Sequence, residues 1–285
     1  MQRLILPSRS KINLGLAVLS KRPDGYHNLH TLFQELAFHD TIRITRAAAG
    51  CELTASVNWL PLDETNLAFR AWRLLKDRYP DLGGVKIHLE KRIPVGAGLG
   101  GGSGNGATVL KGINELYRLN LTQEKLERLG VNLGADVPFF IRGGLQLGEG
   151  IGDRLTPLDT VLTGSILLVI PPISISTAWA YGELKNTLTD SHRQPNFAGV
   201  FQEEKFAFTV FENDFERIVI PAYPEIGAIK RQLIECGAVF AGLSGSGSTV
   251  FGVFDEEASA REAESALRPF GRIILTHPVS SAPGL

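Results

Sequence analysis

A glycine-rich segment at residues 94–110, PVGAGLGGGSGNGATVL, has the composition of a loop that binds phosphate. Seven of the eleven residues at positions 96–106 are glycines. Glycines let the backbone approach a ligand closely and turn successive N–H groups toward one point, and a following helix presents its positive N-terminus to an anion. The segment therefore predicts a site for the phosphates of a nucleotide.

The glycine segment lies between a predicted strand and a predicted helix. Ahead of it, apolar and polar residues alternate as in a half-buried strand, with Val85, Ile87 and Leu89 as the apolar members. Behind it, apolar residues recur at helical spacing as far as about residue 120: Val109, Leu110, Ile113, Leu116 and Tyr117. These flanking elements argue against a flexible linker, the plainest alternative for so many glycines.

Two common nucleotide-binding motifs fit this segment poorly. Gly96, Gly98 and Gly101 satisfy the G-x-G-x-x-G pattern of dinucleotide-binding folds. That pattern also needs an acidic residue about 20 positions later, at the end of a second strand, and the nearest acid, Glu115, lies inside the predicted helix. The Walker A pattern fails because the chain contains neither Gly-Lys-Ser nor Gly-Lys-Thr.

Four blocks of the sequence together resemble the GHMP kinase family. The loop shares the family's order of a proline, glycines, Gly-Leu-Gly and a serine ahead of small residues, through Pro94, Leu99, Ser103 and Ala107. The other three blocks are PSRSKINLGLAVLSKRPDGYHNLHTLFQ at residues 7–34, LGADVPFF at residues 133–140 and AGLSGSGSTVFGVF at residues 241–254. Because the four blocks span nearly the whole chain, their combination is more specific than the loop alone.

Within that family, residues 7–34 and 133–140 are similar to the branch that acts on a cytidine diphosphate-linked methylerythritol. The resemblance implies an ATP-dependent kinase that phosphorylates the 2-hydroxyl of this small-molecule substrate, on the non-mevalonate route to isoprenoid precursors. It implies ATP and Mg²⁺ as cofactors, with the ligands of the metal left open. The implied nucleotide contacts follow the loop: Pro94, Val95, Gly96, Ala97, Gly98, Leu99, Gly100, Gly101, Gly102, Ser103 and Gly104.

The resemblance also implies an α+β chain of two domains, a GHMP kinase-like fold with the active site in the interdomain cleft. Helical patterns alternate with strand patterns, without tandem repeats, at about residues 65–79, 103–119 and 122–131. The chain turns polar at residues 156–164 before a new apolar run begins. We therefore expect an N-terminal ATP-binding domain over residues 1–157 and a C-terminal α+β domain over residues 158–285.

Three positions of the loop differ from the residues that this branch of the family commonly has. Ala97 stands in place of a glycine, Gly104 in place of a second serine and Gly106 in place of an alanine. A glycine in place of alanine in the first turn of a helix costs at most about 1 kcal/mol. Since Gly104 lacks a hydroxyl, we expect no role for its side chain with the metal or the phosphates.

Lys11 and Asn13 lie on one face of the first predicted strand, opposite its apolar residues. By pattern alone, polar residues on such a face usually just contact solvent. The resemblance implies instead that Lys11 is the active-site lysine and that Asn13 lies at the substrate site.

Asp136 is the single carboxylate of residues 133–140, and an aspartate in such a segment most often caps a turn. The resemblance implies that Asp136 orients or deprotonates the 2-hydroxyl of the substrate. Lys11 would steady Asp136 and the developing charge, since a nearby cation keeps a carboxyl group ionised.

RPDGYH at residues 22–27 predicts a hairpin turn, because Asp24 and Gly25 both tolerate positive φ. Tyr26 and His27 leave this turn with an aromatic face and a hydrogen-bonding ring, which suit a nucleobase. The resemblance implies that both lie beside the cytosine of the substrate. It implies a second aromatic contact from Tyr181, in a helix capped by Ser176 or Thr177.

The composition is that of a soluble enzyme, with 285 residues, 44% of them apolar, and a formal net charge of −1. Such a charge marks no surface for nucleic acid, and no apolar stretch reaches the roughly 18 residues that span a membrane. Cys51 and Cys236 lack C-x-x-C spacing, so we expect a reduced, cytoplasmic setting. The oligomeric state is left open.

Two other functions stay open. The first is a GHMP-type kinase for a different small alcohol, which residues 24–27 oppose because such an enzyme needs no cytosine site. The second is a nucleotide-binding protein of this fold without transferase activity, which the presence of both Lys11 and Asp136 opposes.

Overall fold

Two β-sheets with helices packed against them make up the fold. The computed structural model describes residues 3–160, 162–184, 195–197, 199 and 208–280. The described strands of the first sheet end at residue 157, and those of the second begin at residue 165. The change of sheet falls where the sequence predicts a domain boundary, and the division of the chain at residue 157 stays a prediction.

Two long strands, β1 (Arg3–Lys21) and β2 (His27–Ala47), form the frame of the first sheet. They pair antiparallel, so that Lys11 lies opposite Glu35 and Asn13 opposite Phe33. The other strands are β3 (Cys51–Ala55), β4 (Gly84–Glu90), β5 (Leu145–Gly150) and β6 (Arg154–Pro157). Together with β2 they lie in the order β3-β4-β2-β5-β6, and β1 pairs with β2. Strand β3 runs parallel to β4.

Four helices accompany this sheet: α1 (Leu67–Arg78), α2 (Gly101–Tyr117), α3 (Gln123–Gly130) and α4 (Val137–Arg142). Apolar side chains of the helices and of β2 and β4 share one core, which includes Ile44, Ile87 and Leu110. The helical periodicity predicted α1, α2 and α3 to within two residues at each end.

The second sheet contains β7 (Ser165–Ile170), β8 (Phe240–Leu243), β9 (Val250–Phe254) and β10 (Arg272–Thr276), in the order β10-β7-β9-β8. The helices beside it are α5 (Thr177–Leu184), α6 (Glu216–Ala222), α7 (Pro224–Glu235) and α8 (Glu257–Leu267). Within the part of the chain that the structure describes, no helix combines the length and apolarity needed to cross a membrane.

The two sheets share part of their core. One apolar cluster combines Ile12 of the first sheet with Leu168 and Phe251 of the second. The backbone at residues 277–279, just after β10, also forms hydrogen bonds with residues 35–37 of β2. These contacts hold the two layers together, and the β1–β2 hairpin reaches across to both.

Candidate active site

A cavity of about 640 Å³ opens where the β1–β2 hairpin meets two glycine-containing loops. It also contacts the start of α4 and the first turns of α5. The residues predicted from the sequence that line it are Lys11, Asn13, Tyr26, His27, Gly98, Gly100, Asp136 and Tyr181. The structure therefore brings the predicted catalytic residues, the predicted substrate contacts and part of the glycine loop to one place.

Three glycines turn the loop ahead of α2 with backbone angles that favour glycine. Gly96, Gly98 and Gly100 have φ values of +72°, +78° and +70°. Gly100 is the N-cap of α2, and its carbonyl accepts the Gly104 N–H at 2.9 Å. The N–H groups of residues 101–103 precede this helical hydrogen bond, so they and the positive helix end can bind an anion.

The apolar residues of the loop face either the core or solvent. Ala97 and Leu99 are buried in the cluster shared by the two sheets, whereas Val95 is 65% exposed. The Leu99 carbonyl accepts the Lys11 N–H (3.1 Å), and the Ala97 carbonyl accepts the Thr249 N–H (3.3 Å). Ala97 and Leu99 thus anchor the loop through packing of their buried side chains and through backbone hydrogen bonds.

Gly104 lies one turn into α2 and packs against β1. A Cβ atom at this position would lie 2.8 Å from the Arg9 carbonyl oxygen and 3.2 Å from the Ser8 hydroxyl. Its N–H is already used inside the helix. The lack of a side chain at Gly104 therefore serves the close approach of α2 to β1, and a nucleotide contact at this position stays a prediction from the resemblance.

A second glycine-containing loop, residues 244–249, lies directly against the first. Ser244 Oγ donates to the Gly98 carbonyl at 2.9 Å. A Cβ atom on Gly98 would lie only 2.0 Å from the Ser244 carbonyl oxygen, so only glycine permits this approach. Gly245 and Ser246 line the cavity beside Gly98. Loops from the two sheets thus meet backbone to backbone at one end of the cavity.

Lys11 reaches the cavity from a buried part of β1. It is 4% exposed, its Nζ donates to Asn13 Oδ1 at 2.6 Å, and it lies 5.5 Å from the centre of the Phe33 ring. Asn13, 2% exposed, donates in turn to Thr31 Oγ1 at 2.8 Å. Burial lowers the pKa of Lys11, and the charge of Asp136 partly opposes that shift. The simple solvent-contact interpretation of this strand face is therefore wrong.

Asp136 occupies the N-cap position of α4, but its side chain makes no capping hydrogen bond. The side chain is 34% exposed, and its Oδ2 lies 3.8 Å from Lys11 Nζ. Among the described residues that line the cavity, Asp136 is the only carboxylate, and Lys11 is the only lysine or arginine. Two residues far apart in the sequence thus form one ion pair whose carboxylate remains accessible to a ligand.

The tip of the β1–β2 hairpin contributes another part of the cavity wall. Gly25 has φ of +88°, while Asp24 keeps a negative φ and accepts the Tyr26 N–H on Oδ1 at 3.1 Å. Tyr26 is 60% exposed and His27 is buried. The His27 ring stacks on Tyr181, with ring centres 5.0 Å apart and 19° between the planes.

Tyr181 belongs to α5, which begins after Ser176. Ser176 Oγ accepts the Trp179 N–H at 3.3 Å, so of the two predicted capping residues Ser176 fills the role. The Tyr181 ring meets Phe215 edge-on, with centres 4.9 Å apart. Burial, followed by the charge of Asp136, raises the pKa of Tyr181 to about 12, so its phenol stays a neutral hydrogen-bond donor.

Sequence reasoning missed Thr31, Phe33 and Phe215, which all line the cavity. Thr31 and Phe33 come from β2, and their position beside Asn13 depends on the register of the hairpin. The only signal for them was their place on the strand expected to pair with β1. Phe215 carried no signal, because a lone phenylalanine looks like any core residue.

A buried polar network behind the glycine loop was also missed. Lys91 Nζ binds the Asp40 carboxylate and the Asn105 carboxamide. Asp40 also accepts the N–H groups of Arg92 and Ile93 at 2.7 and 2.8 Å. The network joins β2, the residues that lead into the loop and the first turn of α2, so it fixes both ends of the loop.

The donor groups of the cavity fit a metal that is held mainly by the phosphates of a nucleotide. Among the described residues, no three His, Cys, Asp or Glu side chains cluster as metal ligands. The cavity offers one carboxylate, Asp136. Mg²⁺ commonly binds through one or two carboxylates plus the phosphates of the substrate, so this donor set is compatible with Mg²⁺.

Known proteins resemble this chain along nearly its whole length. Residues 66–144 match the GHMP kinases N terminal domain, and residues 200–272 match the GHMP kinases C terminal family. The 4-diphosphocytidyl-2-C-methyl-D-erythritol kinase of Geobacter sulfurreducens is 42% identical over 269 residues, which cover 94% of this chain and 96% of that protein. The kinase of the same name from Acetivibrio thermocellus is 39% identical over 271 residues, with 94% and 96% covered.

A solved structure gives the same result. The crystal structure of a 4-(cytidine 5'-diphospho)-2C-methyl-D-erythritol kinase superimposes with a TM-score of 0.82 at 32% identity, covering 98% of this chain and 100% of that one. The matched regions include the glycine loop, Asp136 and the second glycine-containing loop. This chain therefore belongs to the GHMP kinases and, within them, to the family of 4-diphosphocytidyl-2-C-methyl-D-erythritol kinases.

Proposed function

We propose that this kinase transfers the γ-phosphoryl group of ATP to the 2-hydroxyl of 4-diphosphocytidyl-2-C-methyl-D-erythritol in the cavity described above. The supporting observation is the ion pair of Lys11 and Asp136, whose Nζ and Oδ2 atoms lie 3.8 Å apart. The same cavity holds both glycine loops and the stacked rings of His27 and Tyr181. It therefore offers a phosphate site, an acid–base pair and an aromatic nucleoside site together.

The glycine loops form the phosphate end of the proposed site. The backbone N–H groups of residues 101–103, at the start of α2, would bind the phosphates of ATP. Mg²⁺ bound with the nucleotide would neutralise part of the charge on the transferring group, and the phosphates would be the main groups that hold it.

Asp136 is the proposed acid–base residue. Its accessible carboxylate would accept a hydrogen bond or the proton from the 2-hydroxyl, and the buried ammonium of Lys11, 3.8 Å away, would help to hold it in place. Lys11 would also stabilise the negative charge that develops on the transferring group. Positioning and electrostatic stabilisation supply most of the rate in phosphoryl transfer, and both depend on the rigid placement of this pair.

The hairpin tip and α5 form the proposed nucleoside end. Tyr26, His27 and Tyr181 together offer exposed and buried aromatic faces, a ring nitrogen and a phenolic hydroxyl. These groups suit a cytosine base, which stacks through its face and hydrogen-bonds through its edge. The proposed reaction thus needs only a small-molecule partner. The two free cysteines of the protein suit a reduced, cytoplasmic setting.

The deciding experiment is an acceptor comparison with the purified protein. ATP-dependent phosphorylation is measured with 4-diphosphocytidyl-2-C-methyl-D-erythritol, homoserine and mevalonate as acceptors. We expect turnover of the cytidine compound alone. Tyr26→Ala and His27→Ala should raise KM for that acceptor about tenfold or more, because each removes one aromatic contact. KM for ATP, which binds elsewhere in the cavity, is the internal control.

Preferred turnover of homoserine or mevalonate over the cytidine compound would contradict the proposed substrate. A protein that binds ATP but phosphorylates none of the three acceptors would favour a nucleotide-binding role without transfer. Unchanged KM values in both hairpin variants would reduce residues 24–27 to a structural turn.

A further inference from the structure

A turn at residues 212–216 joins three parts of the cavity wall. Its backbone pairs with β1: the Leu16 N–H donates to the Glu212 carbonyl (2.8 Å) and the Asp214 N–H to the Leu16 carbonyl (2.9 Å). The Asp214 carboxylate also accepts the Val18 N–H at 2.8 Å. The turn is therefore attached to the strand that carries Lys11.

Asn213 connects this turn to the second glycine-containing loop. Its side chain is buried, with 5% of the residue exposed. Its Nδ2 donates to the carbonyls of Leu243 (2.7 Å) and Gly245 (2.8 Å), and its Oδ1 accepts the Phe215 N–H at 3.0 Å. One carboxamide thus satisfies two loop carbonyls and holds the following aromatic residue.

Two of the residues that Asn213 bonds to, Gly245 and Phe215, lie at different parts of the proposed site. A Cβ atom on Gly245 would lie 3.6 Å from Asn13 Oδ1. This oxygen accepts a hydrogen bond from the Lys11 ammonium. On the other side, Phe215 lines the cavity and meets Tyr181 edge-on. Asn213 therefore lies where the phosphate-binding loops and the aromatic nucleoside end are joined.

We propose that Asn213 is a positioning residue for the phosphoryl transfer, which fixes the second glycine loop relative to β1 and to the aromatic end of the cavity. This inference rests on the proposed function. Gly245 has φ of +58°, and a glycine loop without side-chain support samples many conformations. Two N–H donors from one rigid amide select one of them, and a misplacement of about 1 Å at a reacting group can cost about 10²-fold in rate.

Asn213→Asp tests this role with little change in shape. The new carboxylate oxygen would face two carbonyl oxygens in place of the amide that donates to them, while the bond from the Phe215 N–H is kept. We expect kcat to fall about 10- to 100-fold and KM for ATP to rise. Asn213→Ala, which removes the donors without adding repulsion, should act in the same direction with a smaller effect.

The matched control is Asn114→Asp, because Asn114 is another structural amide, partly buried, that bonds to backbone groups. It donates to the Leu121 carbonyl at 3.1 Å and accepts the Leu121 N–H at 2.9 Å, at the far end of α2. We expect this variant to lose thermal stability and to keep kcat and both KM values. Steady-state kinetics per folded protein, with Tm for each variant, separates the two amides.

Two outcomes would overturn the inference. If both Asn213 variants lose stability as Asn114→Asp does and keep wild-type kcat and KM, Asn213 is a structural amide only. If the wild-type protein itself fails to phosphorylate the cytidine acceptor, the proposed function fails and this inference with it. Because wild-type turnover is measured in the same assay, the two failures are distinguishable. Should Asn213→Asp not fold, Asn213→Ala decides the question.

Discussion

Two lysine–aspartate pairs lie on either side of the glycine loop, and they differ in how completely their charges are satisfied. In one pair, Asp40 binds Lys91 and also accepts hydrogen bonds from the Asn105 side chain and two backbone N–H groups. The side chains of Lys91 and Asp40 are 2% and 0% exposed. In the other pair, Lys11 Nζ and Asp136 Oδ2 are 3.8 Å apart, and the carboxylate is 34% exposed beside the cavity.

The difference separates a structural ion pair from one that can do chemistry. A carboxylate that already accepts several hydrogen bonds has little capacity left for a ligand or a proton. Asp136 keeps that capacity, because it makes no capping bond to its own helix. We call Asp40 and Lys91 the closed pair, because other groups already bond to the carboxylate, and Lys11 and Asp136 the open pair, because its carboxylate faces the cavity. We infer that the closed pair fixes the ends of the loop, while the open pair acts on the substrate.

Asp136→Asn should have the largest effect on activity. It removes the proposed proton acceptor and keeps the shape, so we expect kcat to fall about 10²- to 10⁴-fold. The Tm should fall less than when the buried pair of Asp40 and Lys91 is broken, because the Asp136 carboxylate makes no capping hydrogen bond, is partly exposed and lies 3.8 Å from the Lys11 ammonium. Turnover of the cytidine acceptor, ATP binding by calorimetry and Tm are the measurements. Retained turnover in this variant would show that the pair of Lys11 and Asp136 is structural, and it would contradict the functional difference between the two pairs.

Asp40→Asn should have the opposite profile. It leaves the Lys91 ammonium buried without its counter-charge, which typically costs about 3 to 5 kcal/mol of unfolding free energy. Urea denaturation measures that loss. The activity of the fraction that remains folded should fall less than in Asp136→Asn, because the loop loses part of its support but no group beside the cavity is removed.

The matched control for Asp40→Asn is Glu52→Gln. It breaks the pair of Glu52 with Lys86 on the sheet surface, where both side chains are about 60% exposed. An exposed pair of this kind contributes little, so we expect no measurable change in stability. Equal losses in Asp40→Asn and Glu52→Gln would contradict the closed character of the buried pair.

Gly104→Ser tests the packing of α2 on β1, the strand that carries Lys11. A Cβ atom would lie 2.8 Å from the Arg9 carbonyl, a backbone atom that cannot easily move. We expect a loss of about 1 to 3 kcal/mol, as for other overpacked positions. Gly106→Ala is the control, because its closest neighbour is the Leu67 side chain at 3.3 Å. It should be neutral or slightly stabilising, since alanine favours a helix.

The sequence predicted much of this architecture because local patterns determine it. The alternation of Val85, Ile87 and Leu89 matches a strand whose apolar side chains are buried, and the glycine loop precedes α2 as expected. The family resemblance was confirmed by relatives that cover nearly the whole chain. Local pattern and motif spacing carry this information without any knowledge of tertiary contacts.

What the sequence left undetermined depends on contacts between distant segments. Nothing in the residues around Asp40 shows that it is buried beside Lys91, and nothing around Asp136 shows that its partner is Lys11. The pattern around Lys11 even suggested a solvent-exposed face, because alternation cannot show that a strand is covered on both sides. Nothing in the loop's sequence shows that Gly104 packs against β1, which only the placement of α2 determines.

The smallest predicted effect is a change in the pH dependence of the open pair. Burial lowers the pKa of Lys11 below its usual 10.5, and the charge of Asp136 raises it again in part. The rate should therefore fall on the alkaline side at a pH below that of an exposed lysine, as Lys11 loses its proton. Tyr181, with a pKa of about 12, stays neutral throughout this range.

In Asp136→Asn the carboxylate that supports the charged form of Lys11 is gone, so the alkaline limb of the residual activity should move to still lower pH. Glu127→Gln, which removes the partner of Arg142 at the other end of α4, should leave the limb in place. Because unfolding returns Lys11 to its ordinary pKa, the folded chain loses this proton first. Stability from this group should then rise with pH up to about 10.5. An alkaline limb at the same pH in all three proteins would show that Lys11 and Asp136 do not interact electrostatically, and the open pair would be two independent residues.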